Sequence, residues 1–278
     1  AYIEATLGEI YKQVNNGQYR GGPAFYIEKG LGIKWYAVVF AVATVLSTAV
    51  FLPGVQSNSI ALSMQNAFDL PVAVTGAGIV VLLALIIFGG VRRIGKVAEL
   101  VVPFMAGAYI LMSVVIMVLN IQEIPAVLTL IFKSAFNFEP AFAGVFGMAV
   151  SWGIKRGIYS NEAGQGTAPH AAAAAEVAHP AEQGLVQAFS VYVDTLFVCT
   201  ATAFMILFTG QYNVLNPEGG FIVENLPGAK IGAEYTQYAI SHHFPALGSG
   251  FVAIALLFFA FTTIMAYYYI AETNLSYL

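Results

Sequence analysis

Residues 155–169 read Lys-Arg-Gly-Ile-Tyr-Ser-Asn-Glu-Ala-Gly-Gln-Gly-Thr-Ala-Pro, placing two cations, a carboxylate, three glycines and a proline between apolar flanks. These groups can hold a polar or charged solute, but they do not form a bond-making set. Nowhere in the chain is there a nucleophile elbow, a phosphate loop or a dinucleotide fingerprint. His170, His179, His242 and His243 lack the acidic or cysteine partners of a metal site. Cys199 is the sole cysteine, so no disulfide closes within the chain, and it reads as a small buried hydrophobe. Nothing supports an enzyme.

Other polar residues stand inside apolar runs, where an unpaired charge is costly. Asp194 is expected to pair with Arg156 or Lys155, since each would lie about halfway through the bilayer. Glu162 keeps two readings: a gating or cation-coupling carboxylate, or one tied by nearby backbone donors at a helix N-terminus. Gln56 and Asn58 follow Pro53-Gly54 and are either interhelical glue or substrate contacts. Thr262 and Thr263 offer the hard oxygen ligands that Na⁺ takes, or hydroxyls bonded back to their own helix. Tyr267 shares a face with Thr263, four residues earlier.

The elements that must position these residues are membrane helices. The chain is 59% hydrophobic and 9% charged with a mean hydropathy of +0.76, against about a quarter charged for a soluble domain. Several apolar runs reach about twenty residues without alternation, which predicts helices and excludes barrel strands. A basic patch for nucleic acid is lacking. Helices are expected over 35–67 (tilted or kinked at Pro53-Gly54), 71–90, 97–119, 183–209 and 251–271. Residues 1–12 read as the end of a helix that begins earlier, and 122–140 as an interfacial segment. The long loop 210–248 carries a short amphipathic candidate at 233–242.

Segments 141–155 and 168–178 are each too short to span, so they are expected to make one crossing with a break between them. Such a break frees backbone groups that hydrocarbon cannot satisfy, and they must face a cavity, an ion or a polar substrate. The second half-helix would aim N–H groups near Gly164–Thr167 at an anion, and the first would aim carbonyls at a cation or ammonium. A zwitterion fits that pair of ends. Threading the helices places Lys12, Arg20, Lys29, Lys34, Arg92, Arg93 and Lys96 on one side, which is therefore cytoplasmic, and Lys133 and Lys230 on the other.

The stretch Lys155–Pro169 with the alanine run after it closely resembles the signature of the alanine or glycine:cation symporter family, bacterial and archaeal amino-acid transporters. The blocks Gly22–Ile27, Gln56–Ala61 and Phe259–Ile264 resemble family blocks in the same order. The resemblance implies an all-α polytopic membrane protein of the leucine-transporter-type inverted-repeat fold. In it, residues 1–278 form a single transport domain incomplete at both ends, from the end of helix two through helix eight. It also implies a substrate site with its cradle at the break from Gly157 to Gly164 (Gly157, Ile158, Ser160, Asn161 and Gly164), joined by Gln56 and Tyr267 from other helices. Na⁺ would be held at Thr262 and Thr263, with structural or gating roles for Arg156, Glu162 and Asp194. Tyr267 departs from a pattern that often has tryptophan. The expected function is Na⁺-coupled symport of alanine or glycine by alternating access, in the multi-pass cell membrane of a prokaryote. The alternatives are a proton-coupled or broader-specificity amino-acid carrier, with Glu162 or Asp194 titrating, and a membrane sensor that binds amino acid without moving it.

Overall fold

The computed structural model describes residues 1–15, 17–89, 91–135, 143–216 and 219–278. It is mostly helical, with elements in the order α1 (Tyr2–Ile10), β1 (Gln13–Asn15), β2 (Gln18–Arg20), α2 (Pro23–Leu31), α3 (Lys34–Phe68), α4 (Val72–Ile87), α5 (Val91–Leu119), α6 (Ile124–Ala135), α7 (Ala143–Asn161), α8 (Ala168–Ala173), α9 (Pro180–Phe208), β3 (Asn213–Leu215), β4 (Phe221–Glu224), α10 (Ala233–His243) and α11 (Gly248–Tyr277). Helices α3, α5, α9 and α11 are long and apolar enough to cross a membrane, and α4 is shorter.

Helix α11 is the post of the bundle. It is apolar around its circumference, as a helix buried on many sides must be. One side packs Ala260, Phe261, Ile264 and Met265 against Ile60 and Met64 of α3, Ile79 of α4 and Ile94 of α5. The other packs Val252 and Ala255 with Tyr109 and Ile116 of α5, Ala201 and Met205 of α9, and Ala239 and Ile240 of α10. The outward faces of α3, α4, α5 and α9 expose Val39, Phe51, Val80, Phe104 and Phe189, an apolar surface suited to lipid.

Among the described residues two helices carry a π turn, Ser47–Phe51 within α3 and Val193–Cys199 within α9. The expected fault in α3 was at Pro53-Gly54. The structure places it one turn earlier, where the i→i+5 turn precedes Pro53 and leaves the proline near the start of a fresh α segment.

At the end that carries most of the Lys and Arg, α1, the β1–β2 hairpin, α2 and α8 close around the end of α11. We refer to this as the base. Arg20 Nη2 pairs with Glu272 Oε1 at 2.7 Å, and Tyr277 Oη donates to Glu28 Oε2 at 2.6 Å. Lys12 Nζ donates to Glu9 and to Ala175 O, the latter at 2.7 Å. His170 is fully buried with Nε2 at 2.8 Å from Asn274 Nδ2, and its ring lies so close to Gly22 (φ 144°) that a Cβ there would sit 2.5 Å from it. In α2 itself, burial followed by the Glu4 carboxylate and then Tyr36 push the Tyr26 phenol up to about 12.

Several boundaries differ from the expected ones. Residues expected to be loop form the two antiparallel hairpins β1–β2 and β3–β4. The basic stretch from Arg92 to Lys96, expected as a link, lies within the first turns of α5. Of the interfacial segment, Ile124–Ala135 is helical and 136–140 lies outside the described residues. Helix α11 runs beyond 271 to Tyr277, where Asn274 and Tyr277 find partners in the base.

Candidate functional site

The interruption between α7 and α8 covers 162–167 rather than the expected 156–167. Helix α7 continues through Gly157, Ile158 and Ser160 to Asn161, since a glycine costs a helix only about 1 kcal/mol. What ends it is local chemistry one turn later. Asn161 Oδ1 accepts the Ala163 N–H at 3.0 Å, and Glu162 takes the left-handed conformation at φ 55°, rare for a residue with a side chain. Gly164 (φ 84°) and Gly166 (φ 77°) continue the break. Gly166 is required for space as well, because a Cβ would lie 3.0 Å from the Phe40 ring. Helix α8 is six residues long, and 174–178 turn away before Pro180 opens α9.

The groups freed by the break are largely satisfied by the protein itself. Gln165 Nε2 donates to Ile158 O at 2.8 Å, covering a carbonyl at the end of α7. The Gly164 N–H donates to Glu4 Oε2 at 2.8 Å, so the anion expected near Gly164–Thr167 is a carboxylate from α1. Glu162 Oε2 accepts the Thr167 hydroxyl, a side-chain partner in place of the expected backbone donors.

Of the sequence-derived site residues, the structure gathers three groups. Gln56 from α3 and Tyr159 of α7 approach the phenol of Tyr267 on α11, which is 4% exposed, and the Glu162 carboxylate of the break acts on it electrostatically. Ser160 Oγ donates to Asp194 Oδ2 at 2.7 Å, joining α7 to the π turn of α9, with the Cys199 thiol 3.3 Å from the hydroxyl. Thr262 and Thr263 both donate to Phe259 O, at 2.8 and 3.1 Å.

The expected pairing of Asp194 with Arg156 or Lys155 is not formed. Lys155 Nζ and the Arg156 guanidinium lie 5.4 and 5.3 Å from the Trp152 ring on their own helix. Helical spacing explains this: Asp194 meets Ser160, and Arg156, four residues before it, stacks a further turn back on Trp152. A Cβ added at Gly157 would meet nothing within 4 Å, and Ile158 is exposed. Tyr159, Glu4, Gln165 and the His170–Asn274 pair were missed. Tyr159 lay within the central motif, whereas Glu4 is 160 residues from Gly164 and gave no local signal.

A polytopic helical protein with a broken helix, intramembrane carboxylates and polar side chains converging from three helices has the makings of a solute carrier. The model of the sodium:alanine symporter family matches residues 1–278, and the chain belongs to that family. It is 66% identical over its whole length to a Bacillus subtilis (strain 168) protein provisionally named a sodium/proton-dependent alanine carrier, covering 57% of that protein. It is 60% identical to the sodium/proton-dependent alanine carrier of Bacillus sp. (strain PS3), again over its whole length and covering 62% of it. A third relative, from Bacillus subtilis (strain 168) and provisionally named a sodium/glutamine symporter, is 43% identical over the whole chain, which covers 55% of it. The chain thus spans somewhat over half the length of these relatives. They are carriers, not enzymes.

Proposed function

We propose that this chain is the larger part of the transport domain of a secondary transporter that moves a small neutral amino acid, alanine or glycine, inward with Na⁺. The observation that carries the reading is its full-length identity of 60–66% to two proteins named as alanine carriers. On this reading the protein lies in a bacterial cell membrane with the base on the cytoplasmic side and adopts the leucine-transporter-type inverted-repeat fold. The amino acid is held where Gln56, Tyr159, Glu162 and Tyr267 converge, with Gly157, Ile158, Ser160, Asn161 and Gly164 along the same wall.

The Na⁺ assignment to Thr262 and Thr263 is compatible with their bonding to Phe259 O. That bond uses each hydroxyl's hydrogen and leaves its oxygen lone pairs to accept a cation. Cation and amino acid would be coupled because each favours the same arrangement of α7 against α3 and α11. Asp194, joined to α7 through the Ser160 hydroxyl, would report movement of α7 to α9.

The test is uptake of labelled alanine by proteoliposomes holding the full-length protein. A Na⁺ gradient should drive accumulation; uptake indifferent to Na⁺ would remove the ion assignment and leave the proton. Thr263→Ala should raise the Na⁺ concentration for half-maximal uptake about tenfold, as loss of one oxygen ligand of about 1.4 kcal/mol would. Its ranking of alanine against glycine should not change.

A further inference from the structure

The paired histidines of α10 are not absorbed by the transport site, yet one of them holds the far end of the bundle together. Helix α10 closes the end opposite the base, with Ala239 and Ile240 fully buried. Its middle is fixed by Gln237, whose Oε1 accepts from Asn66 Nδ2 at 2.8 Å and whose Nε2 donates to Ser63 O and Ser249 O, each at 3.2 Å. Its last turn is fixed by a side-chain bond to α5, His243 Nε2 to Asn120 Nδ2 at 2.8 Å.

The direction of that bond is determined by a second one. Asn120 Nδ2 also lies 2.8 Å from Ile116 O, a carbonyl that can only accept. The two amide hydrogens therefore go one to Ile116 O and one to His243 Nε2. Turning the amide over would set Oδ1 against the Ile116 carbonyl, acceptor against acceptor. His243 Nε2 must consequently offer a lone pair, so the ring is neutral with its proton on Nδ1. A second proton would set N–H against N–H, and Asn120 has no alternative orientation that satisfies both neighbours.

We propose that His243 and Asn120 form a proton-sensitive latch that keeps the last turn of α10 seated on α5 at neutral pH and releases it when the solution on that side is acidified. Burial, and then the His242 ring, lower the His243 pKa from its ordinary 6.5. The His242 ring stands perpendicular to that of His243 with centroids 4.9 Å apart. The packed elements face α10 with Asn66 and Ser63 O from α3, Asn120 just past the end of α5, Ser249 from α11, and the apolar Ala201 and Met205 from α9. Among the described residues the titratable side chain facing α10 from these elements is the Tyr109 phenol of α5, which faces Thr236 and is ordinarily neutral at these pH values. Among the described residues the electrostatic influence on the ring comes from His242. The sign follows: a histidine whose pKa falls on docking favours the docked state at pH above 6.5, and that preference is lost as pH drops below it.

The experiment is amide hydrogen exchange of the full-length protein in lipid nanodiscs, read over residues 236–243 and corrected for the intrinsic pH dependence. Samples at about pH 7.5 and about pH 5 bracket the histidine range. The wild type should exchange about tenfold faster at acid pH, the scale of one lost hydrogen bond. His243→Gln keeps an acceptor that does not titrate, so its exchange should match at both pH values, while His242→Gln should keep the tenfold response. Asn120→Asp offers a carboxylate to the imidazolium and should reverse the sign, with slower exchange at acid pH. An acid response in His243→Gln equal to that of the wild type, or none in the wild type, overturns the latch. Should His243→Gln fail to fold, the sign in Asn120→Asp decides.

Discussion

The base and the exposed face of α7 carry the same kinds of side chain and use them differently. In the base, Arg20, Glu28 and His170 all reach α11 from other elements, and Lys12 reaches Ala175 just past the end of α8. On α7, Lys155 and Arg156 stack on Trp152, one turn back on their own helix. A polar group tied across elements fixes their relative positions, and one stacked on its own helix fixes nothing beyond that helix. The base and the α3–α11 pair therefore form the frame, while α7 is attached to it by the Asn161–Gly166 break, the Ser160–Asp194 bond and the Tyr159–Tyr267 approach.

The sharpest way to break this contrast is Gly22→Ala. The new Cβ would meet the His170 ring in a backbone conformation that side chains avoid, and the cost should be about 3 kcal/mol or more, read as a lowered melting temperature of the full-length protein in detergent. An unchanged melting temperature would mean that the base is not the anchor. Glu272→Gln comes next. It leaves Arg20, with 9% of its side chain exposed, without a counter-charge; because the Glu272 side chain is 35% exposed, the loss should be about 2 kcal/mol rather than that of a fully buried pair. The smallest effect is expected on α7, where Lys155→Ala should leave the melting temperature within experimental error, and a large drop there would erase the distinction between frame and attachment.

The helices were readable in advance because a bilayer demands long apolar runs, and α3, α5, α9 and α11 all supply them. The break was readable from Gly164, Gly166 and Pro169, but its start was set too early, at Arg156-Gly157. A single glycine interrupts a helix less than a left-handed Glu162 spanned by the Ala163 N–H to Asn161 Oδ1 bond does, and that conformation is written in no one residue. The meeting of Gln56 with Tyr267 was only partly visible: both were candidates, but their proximity depends on how α3 packs along α11. Long-range satisfaction was not visible at all. Glu4 reaching Gly164, and Asn274 reaching His170, are consequences of folding over more than a hundred residues of chain.

The π turn in α3 bears on how this site could have arisen and how it can be lost. It amounts to one residue more than an α-helix would use, inserted between Lys34 and the polar stretch that starts at Gln56. Removing one residue from Ser47–Phe51 would relax that turn to α-helix with the residues beyond it close to their present facing, whereas removing one from the regular helix Lys34–Leu46 would turn everything beyond it by about 100°. Gln56 would then leave Tyr267, although neither residue had been changed. On the proposed reading the length of chain ahead of the site is as much a part of it as its side chains, and a single-codon deletion within Lys34–Leu46 should be as damaging to uptake as the loss of Gln56 itself.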